Sequence, residues 1–428
     1  MSKNSSALKL LHAIRIKTTG NGYMTCSEKD WRIANPFYLV AVLWVAILLF
    51  YSLSWSNLCA PLDSLLVIFV LVLILSFLLF GHIFQNQLMI QLADEHNGRQ
   101  MEITSAVICL VLAAGMMYNA NIPLLAVLQG QPYNTEATNL PVVGTFFTSV
   151  ALWQTSRLCY SYQVENRRST LIQLVVLFSF FLITVQRQNI MVCTVAIIFS
   201  IWTCSYKGKH YSARAKVMAI FLLLLALIVV LFVFGAIGNA RYGTWSWNDS
   251  SMISAVGEIN DNYPSWLPRE FIWAYVYLVS PLANLNNNLH SATPTGNFWL
   301  VILQLLPSSL SRRMMPAVEA TPYLIQPSLT ASTAYVSSYI IGGSIGMFVF
   351  MAVQQLLIFI MMVAALHDRG SARFAGIFSV FYYAGLTFFD NPSSYLITSY
   401  LWLVVVLHSY WPQIASVVLP VLRKKLHK

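Results

Sequence analysis

Chemistry in this sequence centres on five arginines at the ends of apolar runs: Arg187, Arg241, Arg269, Arg312 and Arg313. A guanidinium keeps its charge at low dielectric and forks onto phosphate oxygens in a bidentate way. Arg187, in LITVQRQNIM, sits in a short connection between two apolar runs, with Gln186, Gln188 and Asn189 around it. A charge so close to hydrocarbon is a functional hypothesis by default, the alternative being an arginine that snorkels to headgroups. Arg241, in GAIGNARYG, stands among Gly235, Gly238 and Gly243, which would let a ligand approach the backbone. Arg312 and Arg313 are adjacent and suit a diphosphate or an anionic lipid equally well.

The segment PREFIWAYVYLVSPLANLNNNLH (268–290) opens with Arg269 and Glu270. Trp273, Tyr277 and Pro281 recur every four residues, so they share one helical face up to the proline. Asn284, Asn286, Asn287 and Asn288 follow as a polar cluster ending at His290. An aromatic-belt helix explains the rings but not the asparagines, so Trp273, Tyr277 and Asn284 are read as substrate-contacting. The acid–base candidates on this side are His290, Glu258 and Glu319, with Asp261 beside them. The nearby tryptophans (Trp245, Trp247, Trp266, Trp299) would stack on sugar rings or form an interfacial belt.

The elements that must position these residues are apolar helices. Of 428 residues, 57% are apolar and only 9% charged, where a soluble chain carries about 25% charge. Soluble enzymes and disordered chains are thereby excluded. The apolar residues fall in runs of about 20, the length that crosses the hydrocarbon as a helix. An all-α polytopic membrane protein of about ten spans is expected: 36–55, 63–83, 103–120, 141–157, 170–186, 189–206, 217–237, 337–365, 374–389 and 396–420. Two shorter stretches, 271–284 and 297–307, are expected to be re-entrant or interfacial. The Gly342, Gly343 and Gly346 run is read as close helix packing.

Net charge is +10, from 25 Lys+Arg against 15 Asp+Glu. Sorted by side, 20 basic residues fall on one face, including every lysine, and only the five arginines fall on the other. Cytoplasmic loops collect Lys and Arg, so the excess is an orientation signal rather than a nucleic-acid surface. Both termini are expected in the cytoplasm. The domain organisation is then a basic segment (1–35), seven spans (36–237), a large outer loop (238–336), three spans (337–420) and a basic tail (421–428). The first 35 residues lack the short apolar region of a cleaved signal peptide, so the first span is expected to act as insertion signal. Six cysteines are scattered without a CxxC spacing, which suggests neither zinc nor a redox pair. No GxxxxGK[ST] sequence occurs, which argues against an ATP-driven pump.

In layout, the chain resembles the bacterial O-antigen polymerases of the Wzy type. NIPLLAVLQGQPY after the third span resembles the family's "IPL…G…Y" loop, and arginines follow the fifth span (Arg187) and open the large loop (Arg241). The Trp273, Tyr277, Pro281, Asn284 series and the entry AYVSSYIIGGSIG resemble further family features. Two positions depart from the pattern: the arginine phrase reads VQRQ, and no acid precedes the first glycine of the entry. The resemblance implies a membrane glycosyltransferase fold of the GT-C type, with a periplasmic active site in the inner membrane. It implies a donor glycan on undecaprenyl diphosphate, transferred en bloc to a second lipid-linked repeat unit, with neither metal nor cofactor. It further implies a flippase and a chain-length regulator as partners. A lipid-linked oligosaccharide flippase and an O-antigen ligase are the alternatives.

Overall fold

The computed structural model describes residues 35–86, 98–119, 122–129, 140, 143–204, scattered positions between 221 and 235, 250–314 and 321–426. The expected basic segment (all but Asn35), most of the span at 217–237, Arg241 and Glu319 lie outside them. So do Trp245 and Trp247.

Every regular element among the described residues is helical. The first half comprises α1 (Pro36–Ser52), α2 (Ser64–Phe84), α3 (Gly98–Tyr118), α4 (Pro123–Leu128), α5 (Val143–Glu165), α6 (Arg168–Ile183) and α7 (Arg187–Cys204). The second half comprises α8 (Ser251–Val256), α9 (Phe271–Ser291), α10 (Phe298–Val301), α11 (Ser308–Met314), α12 (Tyr335–His367), α13 (Gly370–Leu386) and α14 (Leu396–Leu426). Short 3-10 turns at Ile302–Leu305 and Pro392–Ser394 complete the described elements.

Local chemistry sets the helix starts. Asn35 caps α1 by accepting from the Phe37 N–H (3.0 Å), and its amide donates to the Gly81 carbonyl of α2 (2.8 Å). Asp63 caps α2 through the Leu65 N–H (2.7 Å). Tight reversals use left-handed residues, Asn166 between α5 and α6 and Val185 between α6 and α7.

Three described helices are long and apolar enough to cross a membrane: Ser64–Phe84, Met101–Tyr118 and Tyr335–His367. Several leucines and valines point outward from the bundle: Val42, Leu49, Leu75, Leu79 and Leu110 are between 61% and 70% exposed. Apolar side chains exposed this far along whole helix faces need an apolar surround.

The centre of the bundle is α5, the least apolar of its long helices. Most of its residues from Thr148 to Ser161 are buried. Thr148, Ser149, Thr155 and Ser156 turn their hydroxyls back onto carbonyls four residues earlier, at 2.8–3.0 Å. Such back-bonding satisfies polar groups inside the helix and leaves small side chains for close packing. The helix runs on to Glu165, past the expected end at 157, and Arg157 lies within it. That guanidinium is buried over the Trp153 ring (4.7 Å) and donates to Ser371 (3.2 Å).

The apolar stretch at 271–284 is part of a longer helix, α9, which continues through Pro281 to Ser291. The other departure is α12, which is not one straight rod. Gly343 adopts φ +65° and ψ −158°, a conformation that glycine alone takes without strain. The Tyr335 and Phe350 rings lie 6.1 Å apart, whereas 15 residues of straight helix span about 22 Å. A Cβ on Gly346 would lie 2.8 Å from the Ser338 carbonyl oxygen. Residues 335–342 thus fold back on 344–367 as a helical hairpin. The glycine run supplies close packing at Gly346, as expected, and a chain reversal at Gly343. The carbonyls freed at the turn are capped: Ile340 accepts from the Thr295 N–H (3.0 Å), and Ile341 from the Asn297 N–H (2.9 Å) and the Thr295 hydroxyl (2.7 Å).

Candidate active site

The α13–α14 connection, FFDNPSS, gathers polar groups at the predicted outer end. Thr387 carbonyl accepts from the Ala334 N–H (2.9 Å), fixing the start of the α12 hairpin. Phe388 packs edge-on against Trp44 of α1 (5.1 Å). Asn391 caps the 3-10 turn by accepting from the Ser393 N–H (3.1 Å), and donates to the Gln304 carbonyl (2.7 Å). Gln304 in turn accepts from the Ser338 hydroxyl of the hairpin (3.0 Å). Asp390 is held between these anchors. One carboxylate oxygen accepts from the Asn391 N–H (2.7 Å), and the other from the Tyr395 hydroxyl.

Burial pushes the Asp390 carboxyl above the ordinary carboxylate range, while the bonds from Tyr395 and Asn391 pull it partway back. The Tyr395 phenol is raised by its own burial, then by Asp390 and by Tyr382. Asp390 is half-buried and Tyr395 is 44% exposed, so the cluster is open on one side. Each carboxylate oxygen has a further lone pair for an incoming hydroxyl.

Two segments next to predicted cations reach the surroundings of this cluster. Gln188, next to Arg187 at the start of α7, donates to the Tyr382 hydroxyl (2.8 Å). Arg187 is the first residue of α7, as its place between apolar runs required. On another side, the turn holding Gln304 leads directly into α11, which carries Arg312 and the exposed Arg313.

A second polar region surrounds α9. Asn284 is fully buried; its amide donates to the Leu329 (2.9 Å) and Ala331 (2.7 Å) carbonyls, and its oxygen accepts from the Ile325 N–H (2.9 Å). Asn288 pairs with both backbone groups of Tyr323 (2.9 Å each). Asn286 donates to the Pro61 carbonyl (3.0 Å) and accepts from the Asp63 N–H (2.9 Å). The asparagine cluster therefore holds two chain segments, 61–63 and 323–331, against the helix. The expected substrate contact at Asn284 is corrected: a side chain with no exposed surface and all three bonds made to backbone positions a loop instead.

The remaining candidates are dispersed. Trp273 is buried and Tyr277 half-buried, their rings 6.1 Å apart, so they pack as a pair along α9. Arg269 is exposed, near Tyr263. Gly235 does admit a close approach, but from the Glu270 carbonyl oxygen, 2.3 Å from an added Cβ. Glu258 is engaged by Gln326 (2.7 Å), and its backbone is left-handed, with φ 46°. His290 is exposed near the end of α9, where Tyr339 donates to the preceding Leu289 carbonyl (3.2 Å). Ser338 and Tyr339 are neighbours, so the short arm of the α12 hairpin lies between the two polar regions.

Asp390 is missing from the candidates that residue types suggested. The signal was there: a carboxylate in a short connection between two apolar runs meets the same criterion that singled out Arg187. Compared with family models, curated proteins and solved structures, the chain matches none.

Proposed function

We propose that this chain is a membrane glycosyltransferase of the GT-C type, with about ten spans and both termini in the cytoplasm. It polymerises undecaprenyl-diphosphate-linked repeat units for O-antigen or a related surface polysaccharide. The reaction takes place at the periplasmic face of the bacterial inner membrane. The observation that carries this reading is the juxtaposition at one end of the bundle. There, the surroundings of a carboxylate–tyrosine–amide cluster are reached by the start of α7, with Arg187, and by the turn leading to Arg312 and Arg313.

En bloc transfer needs these parts. The leaving group is a lipid diphosphate whose charge grows as the sugar–phosphate bond breaks, and fixed cations lower that barrier. The acceptor hydroxyl must lose a proton. Apolar helices hold both lipid carriers beside the site, which makes the encounter effectively intramolecular. Deleting the gene in its host should reduce the surface polysaccharide to single repeats still joined to lipid A core. Complementation with Arg187→Ala should restore the membrane protein but not the long chains. Long free chains in the deletion strain would point to a ligase instead.

The break at Gly343 favours a second reading, a flippase, because transporters use discontinuous helices around their substrates. In this hairpin the freed carbonyls are already taken by Thr295 and Asn297, which leaves that reading second. Repeat units accumulating on the cytoplasmic face of the deletion strain would reverse the order.

A further inference from the structure

We propose that Asp390 is the general base of the transfer, with Tyr395 as the residue that positions and tunes it. The assignment rests on the polymerase reading and names the proton acceptor that the reading requires. Among the described acid–base candidates, Glu258 is tied to Gln326. His290 is exposed near the end of α9, beside the Leu289 carbonyl that Tyr339 binds, and outside the α13–α14 connection. Asp390 has one open side, carboxylate oxygens with spare lone pairs, and a frame that fixes its direction. That frame is Asn391 at 2.7 Å, the Tyr395 hydroxyl, and the Asn391–Gln304 bond that ties the connection to the hairpin.

The step balances. The acceptor sugar hydroxyl passes its proton to Asp390 while its oxygen bonds to the anomeric carbon of the donor. The bond from that carbon to the diphosphate oxygen breaks, and its electron pair leaves on the diphosphate, opposite the arginines. The protonated Asp390 then returns its proton to water through the open side. A carboxyl raised by burial is a stronger base than an ordinary aspartate.

The titratable group facing Asp390 is Tyr395 from its own connection, and Tyr382 from α13 acts in turn on Tyr395. The packed neighbours Gln188 and Gln304 do not titrate. Removing the Tyr395 hydroxyl withdraws a bond that stabilises the ionised carboxylate, so the carboxyl should rise further. Since the base works ionised, the acidic limb of the rate–pH profile should move to higher pH in Tyr395→Phe.

The test uses the full-length protein in proteoliposomes, with lipid-linked repeat units extracted from the deletion strain. Asp390→Asn should lower the polymerisation rate by about 10²–10⁴-fold at wild-type insertion levels, and Tyr395→Phe should stay active with its acidic limb displaced. Wild-type rates in Asp390→Asn would overturn the assignment. So would coincident acidic limbs in wild type and Tyr395→Phe, which would reduce Asp390 to a structural anchor. If Asp390→Asn fails to accumulate, the limb comparison decides. A deletion strain with unchanged chain lengths would defeat the polymerase reading and this assignment together. A deletion strain reduced to single repeats, with Asp390→Asn fully active, would defeat this assignment alone.

Discussion

Replacing Asn284 with leucine separates a positioning role from a substrate contact. The two side chains are similar in size, so the change removes three hydrogen bonds without opening a large cavity. It strands the Ile325 N–H and the Leu329 and Ala331 carbonyls against α9. Each buried backbone group left without a partner costs about 1–3 kcal/mol. Because this segment can turn partly toward water, the sum should fall near the lower bound, about 3–5 kcal/mol. That penalty is local, since α9 stays anchored to the 61–63 connection by Asn286. Hydrogen–deuterium exchange on the purified protein should show amides of 323–331 exchanging roughly a hundredfold or more faster, with α2 and α13 unchanged. Asn284→Asp, which retains the acceptor for Ile325 but sets a buried carboxylate oxygen against both carbonyls, should be at least as disruptive. Unchanged protection of 323–331 in Asn284→Leu, together with a raised KM for lipid-linked repeat units, would refute the reasoning and restore the side chain to the substrate.

Other perturbations test the hairpin and the orientation. Gly346→Ala places a methyl group against the Ser338 carbonyl (2.8 Å) and the Val301 side chain (3.0 Å), and should cost ~1–3 kcal/mol, read as a lower Tm in detergent. Gly385→Ala, with no atom within 4 Å of the new carbon, is the matched control and should be neutral or stabilising by up to ~1 kcal/mol; equal effects at the two sites would argue against the folded-back arm. In a cysteine-free background, His290→Cys should react with an impermeant maleimide in intact spheroplasts, and Arg369→Cys only after permeabilisation. The opposite pattern would invert the proposed topology.

Much of the helical layout was readable because apolar runs stop where caps and turns begin. The starts of α1 and α2 coincide with Pro36 and Asp63, and the α6–α7 break falls within the few residues before Arg187. What escaped reading depends on contacts between distant segments. The α5 helix extends past its apolar part with Arg157 buried against Trp153 and Ser371, partners that hydropathy does not record. The asparagines on α9 looked like ligand groups because their partners, 61–63 and 323–331, are remote in sequence. The reversal at Gly343 is visible only once Tyr335 is found against Phe350. Asp390 resembled any loop acid until Tyr395 and the Gln304 turn were seen around it.

The folded-back arm of α12 bears on how this protein is made. Residues 335–342 are too short to cross a bilayer and cannot be handed to lipid as an independent span. The N–H of Ala334, the residue just before them, binds the Thr387 carbonyl, and Trp44 contacts both Tyr335 and Phe388. The arm is thus seated by a residue synthesised some fifty positions later. During translation it must wait, near the translocon or at the interface, until α13 has been delivered. Assembly of the candidate active site is therefore a late event in biogenesis, and nascent chains stalled before Thr387 should hold every earlier span yet lack the seat on which the site is built.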